Sequence, residues 1–490
     1  TVTIRQPPRA DDLALLTDLY QLTMALGYWK IGRGEEQAVF HHFFRQNPFH
    51  GGYAVAAGLV DVIEYLNNLK FSNAALEYLA SLTGNDGQRL FPNEFLTYLR
   101  NLEFACDVDG IPEGTVVFAQ EPLVRVRGSI LQCQIIESAL LNFVNFQTLV
   151  ATKAARICEA AAGDAVIEFG LRRAQGMNGA LAASRAAYLG GCVATSNVLA
   201  GKRFSIPVKG THAHSWVMSF DDEAESFNQY AEALPNNCIF LVDTFDTVGG
   251  VRRAIATGRR LREQGHEMAG IRLDSGDLAY LSIESRRLLD EAGFPDAAIV
   301  ASNDLDEHII HDLKQQGAKI NVWGVGTKLA TAYDQPALGG VYKLTAIRKP
   351  SGNWQHRIKL SEQPIKVTTP GILQIRRFRR QDTLIADMIY DELSGIGEPT
   401  QIVKTKDATP QCRINVTSEY DDLLVPIFRQ GTKVYQPPAL DESRMLVKSQ
   451  LQSLHPAVRR LRNPDEYPVG LEVNLFELKT RLAREVRNGI

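Results

Sequence analysis

The stretch AGIRLDSGDLAYLSIESRRLLDEA, residues 269–292, decides the fold. It opens as a short apolar run, turns through Asp274-Ser275-Gly276, and from Asp277 to Ala292 has the apolar spacing of a helix. The same unit recurs on both sides. AVIEF (165–169), CVATS (192–196), FSIPVK (204–209), CIFLVD (238–243), AAIVA (297–301) and KINVWGV (319–325) are short apolar runs. Between them Gln175–Leu189, Asp221–Leu234, Asp246–Gln264 and Asp304–Gln316 read as helices. Asp246, Asp277 and Asp304 stand at predicted helix starts, where a carboxylate caps free N–H groups. Continuous apolar strands joined by helices imply a parallel sheet buried on both faces. Glycine, hydroxyl, carboxylate and basic residues collect just after the runs, and in a β/α barrel that end of the strands holds the active site. Seven runs are present, and Val341–Ala346 is a candidate eighth. A doubly wound open sheet is the structural alternative.

Outward from this region the pattern changes. Residues 1–150 mix helices (Asp11–Trp29, Ala54–Leu69) with an alternating segment at Gly114–Gly128, as expected of an N-terminal α/β domain. Residues 151–345 form the predicted barrel. Residues 346–490 read as a β-rich C-terminal appendage with HRIKLS (356–361) and ILQIRRF (372–378), ending in an amphipathic helix over Asn474–Val486.

A chain of 490 residues can bury a large core without staples. Lys and Arg (53) nearly balance Asp and Glu (56), so no global basic field exists to recruit nucleic acid or an anionic membrane. An anionic substrate must be captured locally. The six cysteines are scattered, with no C-x-x-C, and read as reduced thiols of a cytoplasmic protein. Thr1–Asp12 carries no apolar signal core, and no run reaches the roughly 18 apolar residues of a membrane span.

Four motifs carry chemistry. In RLDSGDL (272–278) Asp277 reads as a helix cap. Asp274 is placed to orient sugar hydroxyls or to stabilise positive charge at a sugar carbon, and Arg272 to clamp a phosphate. In GVGTK (324–328) two glycines let backbone N–H groups approach an anion, and a following helix would add its dipole. Ser302 and Asn303 lie at the neighbouring strand end. In KGTHAHSW (209–216) Thr211 joins the polar rim. His212 and His214 are open to three readings: satisfied structure, a metal pair, or a nucleophilic or acid–base histidine facing phosphate. In EFGLRRAQG (168–176) Phe169 offers a face for a flat ring, and Arg172 and Arg173 offer pairing to carboxylate or phosphate. The set suits an aromatic acid meeting a phosphorylated sugar. Neither a nucleotide P-loop nor a G-x-G-x-x-G is evident.

With TDLYQLTM (17–24), LVDT (241–244), ASNDLDE (301–307) and KLSEQPIKVTTPG (359–371) added, these motifs resemble the nicotinate phosphoribosyltransferase family over most of the chain. The resemblance implies an irregular α/β barrel of the type II phosphoribosyltransferases and a homodimer with shared active sites. It implies transfer from phosphoribosyl pyrophosphate to nicotinate, with ATP as co-substrate, a phosphohistidine and Mg2+ beside the pyrophosphate. Carried over by motif, His214 is the phosphorylated histidine and His212 the variable position. Phe169 stacks on the pyridine ring, with the partner subunit's Tyr20 on its other face. Arg172 holds the phosphate or the nicotinate carboxylate. Arg272 and Asp274 contact phosphate and ribose, and Gly324, Gly326 and Thr327 cradle the 5′-phosphate. Metal ligands are left unassigned.

Nicotinamide-using relatives carry an Asp where Ser196 falls. A carboxylate there would repel the carboxylate of nicotinate, so Ser196 favours the acid. Rival readings are a nicotinamide phosphoribosyltransferase, a Schiff-base barrel aldolase using Lys209 or Lys328, and a metal-dependent hydrolase using His212 and His214.

Overall fold

The apolar runs of the middle region become strands because each is apolar on both faces and can be covered only inside a parallel sheet. A computed structural model of the protein describes residues 10–363, 366–404, 410–413 and 418–488. Six of the runs form β1 (Ala165–Glu168), β2 (Ala194–Thr195), β3 (Ile239–Leu241), β4 (Gly270–Leu273), β5 (Ala298–Ala301) and β6 (Val322–Val325). They hydrogen-bond in the order β2-β1-β6-β5-β4-β3, every pair parallel. Ile271, Leu273, Val300, Ala301, Trp323 and Val325 are buried along it.

The helices between are α1 (Gly176–Gly190), α2 (Val198–Phe204), α3 (His214–Met218), α4 (Glu223–Ala233), α5 (Thr247–Glu263), α6 (Leu278–Glu291) and α7 (Glu307–Gln315), and α8 (Thr327–Ala330) follows β6. Asp246 and Asp277 cap α5 and α6 by accepting from the N–H groups of Gly249 and Tyr280 at 2.7 and 3.0 Å. The third expected cap is displaced. Asn303 and Asp304 adopt positive φ (93° and 34°), so the chain turns before the helix can start. Asp306 then caps α7, accepting from His308 and Ile309.

Two expected strands are corrected. FSIPVK makes only a single parallel bridge, Val208 to Thr195, because Pro207 lacks an N–H and Ser205 is left-handed at φ 57°. Pro207 O accepts from Thr195 N, and Lys209 N donates to Thr195 O, both at 3.0 Å. Val341–Ala346 is no part of the parallel sheet. It lies within Gly340–Arg348, antiparallel to Gln37–Phe44, where an alternating basic and apolar strand can keep one face in water. Among the described residues the parallel ladder ends at β2 and β3. Beyond β3, Leu241 N donates to Nε2 of His212 at 3.2 Å.

Residues 149–336 pack as one unit, and 1–148 with 337–490 as another. The second unit contains a seven-stranded sheet and a six-stranded sheet among its described residues. In the first of these, Val425–Arg429 pairs with Asp107–Gly110, joining C-terminal and N-terminal sequence in one layer. The helix expected over Asp11–Trp29 is a 3-10 turn at Ala10–Leu15 followed by helix Leu19–Lys30, and the chain ends with helix Val473–Arg487. Cys106, Cys133, Cys192 and Cys238 are buried, and Cys106, Cys133 and Cys238 are free thiols. Thr1 to Arg9, and Pro364-Ile365 within KLSEQPIKVTTPG, lie outside the described residues. No described helix is long and apolar enough to cross a membrane.

Candidate active site

Parallel order brings the C-terminal ends of β1, β3, β4, β5 and β6 to one rim. Arg272, inside β4, is the hub. Its Nε donates to Ser302 Oγ at 2.8 Å, its Nη1 to Thr211 Oγ1 at 3.0 Å and its Nη2 to Asp274 Oδ1 at 3.1 Å. Its guanidinium carbon lies 5.6 Å from the ring centroid of Phe169, within cation–π range. Ser302 also donates to Asp274 Oδ1. One planar fork therefore fixes groups from three separate loops and leaves the Asp274 side chain 30% exposed at the rim.

His214 stands opposite. Its Nδ1 pairs with Thr244 Oγ1 at 3.0 Å, and its Nε2 lies 3.6 Å from Asp274 Oδ2 and 3.9 Å from Asp243 Oδ1. A half-exposed imidazole between two carboxylates and a hydroxyl is accessible and electrostatically held. Its neighbour His212 is different. It packs among Phe227, Tyr230 and Phe240, its Nδ1 donates to the carbonyl of Ala213, and its Nε2 accepts from Leu241 N. Burial drives its pKa down to about 4, against the opposing bond to Ala213 and with the help of the Arg272 charge. A ring with both nitrogens occupied cannot share a metal with His214, and this removes the hydrolase reading. The aldolase reading fares no better. Lys328 is ion-paired to Asp306 at 2.7 Å. Burial works against its ammonium, but the bond and charge of Asp306 outweigh that and raise its pKa, away from a neutral amine. Lys209 is exposed.

The β1 and β6 ends interlock. Phe169 N donates to Val325 O at 2.8 Å. A side chain at Gly324 would begin 2.6 Å from two ring atoms of Phe169, so the glycine is what lets the ring lie against β6. Gly326 and Thr327 follow at the strand end, but α8 is a single turn and adds little dipole. Ser196 is half-buried, its N–H bonded to Glu168 O at 2.9 Å. Asn303 is exposed beside Ser302. Arg172 is exposed in the 3-10 turn Leu171–Arg173 and makes none of these hydrogen bonds among the described residues. Tyr20 belongs to the other unit, in helix Leu19–Lys30, and is 51% exposed.

Two carboxylates escaped the sequence reading of the site. Asp243 accepts from Asp274 N at 2.8 Å and Ser275 Oγ at 2.7 Å, both through Oδ2. Its Oδ1 is buried with no hydrogen-bond partner among the described residues. Glu168 is buried and accepts from Gly170 N, from Ser184 Oγ at 2.8 Å and from Thr195 Oγ1 at 2.6 Å. The signal for Asp243 was its place after CIFLV at a strand end. Glu168 opens EFGLRRAQG, but there it reads as part of an apolar run and was given no role. No group of three metal-ligating side chains gathers among the described residues.

Comparison with known proteins gives the same result along the whole chain. Residues 15–145 match the nicotinate phosphoribosyltransferase N-terminal domain, 165–369 the nicotinate phosphoribosyltransferase family, and 374–479 its C-terminal domain. The chain is 46% identical over 486 residues to nicotinate phosphoribosyltransferase of Bacillus subtilis, covering 98% of this chain and 97% of that one. It is 35% identical to the human enzyme of that name, with 97% of each chain covered. The crystal structure of human nicotinic acid phosphoribosyltransferase superposes with a TM-score of 0.82 at 33% identity, over 95% of this chain and 99% of that one. A nicotinate-nucleotide pyrophosphorylase structure from Pyrococcus furiosus shares the fold, with a TM-score of 0.69 at 20% identity. Matched from end to end in both sequence and fold, the chain belongs to the nicotinate phosphoribosyltransferase family.

Proposed function

We propose that this protein transfers the phosphoribosyl group of phosphoribosyl pyrophosphate to nicotinate, giving nicotinate mononucleotide and pyrophosphate, and couples the transfer to ATP hydrolysis through a phosphohistidine at His214. The observation that carries the reading is the Arg272 hub. A phosphate clamp, a ribose-directed carboxylate and a stacking ring meet at one strand end, in a chain that matches the family from end to end.

Displacement at ribose C1 builds positive charge on the sugar and negative charge on the leaving pyrophosphate. The pyridine nitrogen is already a nucleophile, so catalysis reduces to positioning and electrostatics. Phe169, with the partner subunit's Tyr20, stacks the ring, and Arg172 takes its carboxylate. Asp274 faces the developing charge at C1, and Arg272 fixes the carboxylate there. Gly324, Gly326 and Thr327 with Ser302, Asn303 and Thr211 line the phosphate and ribose side. The orphaned Oδ1 of Asp243 and the free oxygen of Asp274 fit a cation that takes its remaining ligands from substrate phosphates. Mg2+ held there would neutralise charge on the pyrophosphate. The parallel sheet belongs to an irregular barrel in this reading. The working form is a cytoplasmic homodimer with shared sites.

Incubation with γ-labelled ATP followed by peptide mapping tests the coupling. An acid-labile label on His214, absent from His214→Ala together with ATP stimulation, is the expected result. Stimulation that survives in His214→Ala overturns the assigned role.

A further inference from the structure

The unit formed by 1–148 and 337–490 holds a cavity rich in charge, of about 280 Å³. Its walls include Arg127 and Arg348, which reach it from two strands flanking Gln37–Phe44 in the seven-stranded sheet. Both guanidinium groups lean on one indole. Their central carbons lie 5.2 and 4.9 Å from the ring centroid of Trp354. Arg127 sits directly across the ladder from Asp107, yet the two form no ion pair. Among the described residues neither arginine side chain makes a hydrogen bond or salt bridge. Each therefore holds five donors without an acceptor at a half-buried position.

Four of the other polar walls already have hydrogen-bond partners. Ser129 donates to Gly34 O at 2.7 Å, Gln132 is bonded to Ala105 N and Glu103 O, Asp107 accepts from Gln430 N at 2.8 Å, and Glu35 accepts from Tyr98 at 3.1 Å. Nearby Glu36 is taken by the bidentate fork of Arg33 and also feels the charges of Lys349 and Arg357. Glu35 and Asp107 balance the two arginines in number, but neither accepts a hydrogen bond from them. Half-burying guanidinium donors without acceptors is unfavourable unless something completes them. An indole that holds two planar forks in place reduces the cost of ordering them when an anion arrives.

We propose that Arg127 and Arg348, held on Trp354, form a second anion site that takes a small phosphoryl-bearing molecule, separate from the Arg272 cluster. Its residues share none with the proposed phosphoribosyl site, and it stands whether or not that reaction is the correct one. Two forks favour tetrahedral oxyanions through paired N–H···O contacts. The cavity limits the ligand to a small molecule rather than a polymer.

The test uses full-length protein labelled with fluorotryptophan and observed by fluorine NMR. The resonance of Trp354 is assigned with Trp354→Phe, and inorganic phosphate and pyrophosphate are titrated against chloride at matched ionic strength. The expected result is a saturable shift of Trp354 with millimolar phosphate and with less pyrophosphate, lost in the R127Q/R348Q double variant. Unchanged ligand-free resonances of Trp29, Trp216 and Trp323 establish that this variant is folded. Trp216 follows His214 by two residues and reports phosphate entering the catalytic rim separately. A milder variant, Arg127→Lys, keeps the charge but loses the fork and should weaken the phosphate response about tenfold. An unmoved Trp354 resonance, an equal shift with chloride, or a shift that survives in the double variant each overturns the site.

Discussion

The backbone N–H of Asp274 donates to Oδ2 of Asp243 across 2.8 Å, which ties the end of β4 to the end of β3. The bond also aims Oδ1 of Asp243 toward His214, 3.9 Å away, with no hydrogen bond of its own among the described residues. Asp243→Asn keeps the shape and removes the charge. The expected outcome is a turnover roughly a hundredfold lower, the scale of losing one preorganised electrostatic contact. The melting temperature should change little. Steady-state kinetics beside thermal denaturation check this, and near-normal turnover would remove Asp243 from the site.

Gly324→Ala places a methyl group 2.6 Å from Cδ2 and Cε2 of Phe169. The ring must move, because backbone flanks the glycine on β6. Overpacking of this kind costs about 1–3 kcal/mol. The expected kinetic signature is a raised KM for nicotinate with a smaller change in KM for phosphoribosyl pyrophosphate. Equal effects on both substrates would show that the ring does not stack the pyridine.

Ser196 tests substrate choice. A carboxylate brought to roughly 4 Å from that of nicotinate costs about 4 kcal/mol at an effective dielectric near 20. Ser196→Asp should therefore lower kcat/KM for nicotinate by two orders of magnitude or more, while activity on nicotinamide holds or rises. Competition between the two pyridines in one assay reads the ratio directly. An unaltered ratio places position 196 outside the pyridine pocket.

Acid should unfold this protein through its buried imidazoles. Burial lowers His42 and His212 to about 4 and takes His41 well below its ordinary value. These rings are neutral when folded and protonate near pH 6.5 when unfolded. Their stabilisation is complete above about pH 6.5 and is lost as pH falls toward 4, because the unfolded chain binds the extra protons. The largest loss is about 3 kcal/mol for a ring such as His42. Melting temperatures recorded between neutral pH and pH 4.5 should fall steadily, and His212→Gln should flatten the slope. A pH-independent melting temperature over that interval contradicts the burial of these rings.

The sequence by itself determined six strands of the parallel sheet, most of the helices between them and the end of the sheet that carries polar groups. The reason is that each depends on neighbours in the chain. Apolar runs must be buried, Asp246 and Asp277 cap the residues that follow them, and the residues just after a parallel strand emerge at its C-terminal end. The positions of Phe169 and Asp274 just past β1 and β4 were legible for that reason. Contacts that cross between loops were not. Arg272 meets Thr211 and Ser302 only after β4 and β5 pair and the Pro207–His212 segment folds back to Leu241. Tertiary structure alone decided that His214 stays open between two carboxylates while His212, two residues away, is buried among aromatic rings. It also decided that Asp304 turns the chain while Asp306 caps the helix, and that Val341–Ala346 joins an antiparallel sheet. In each case the local sequence is compatible with either outcome, and burial against distant residues selects one.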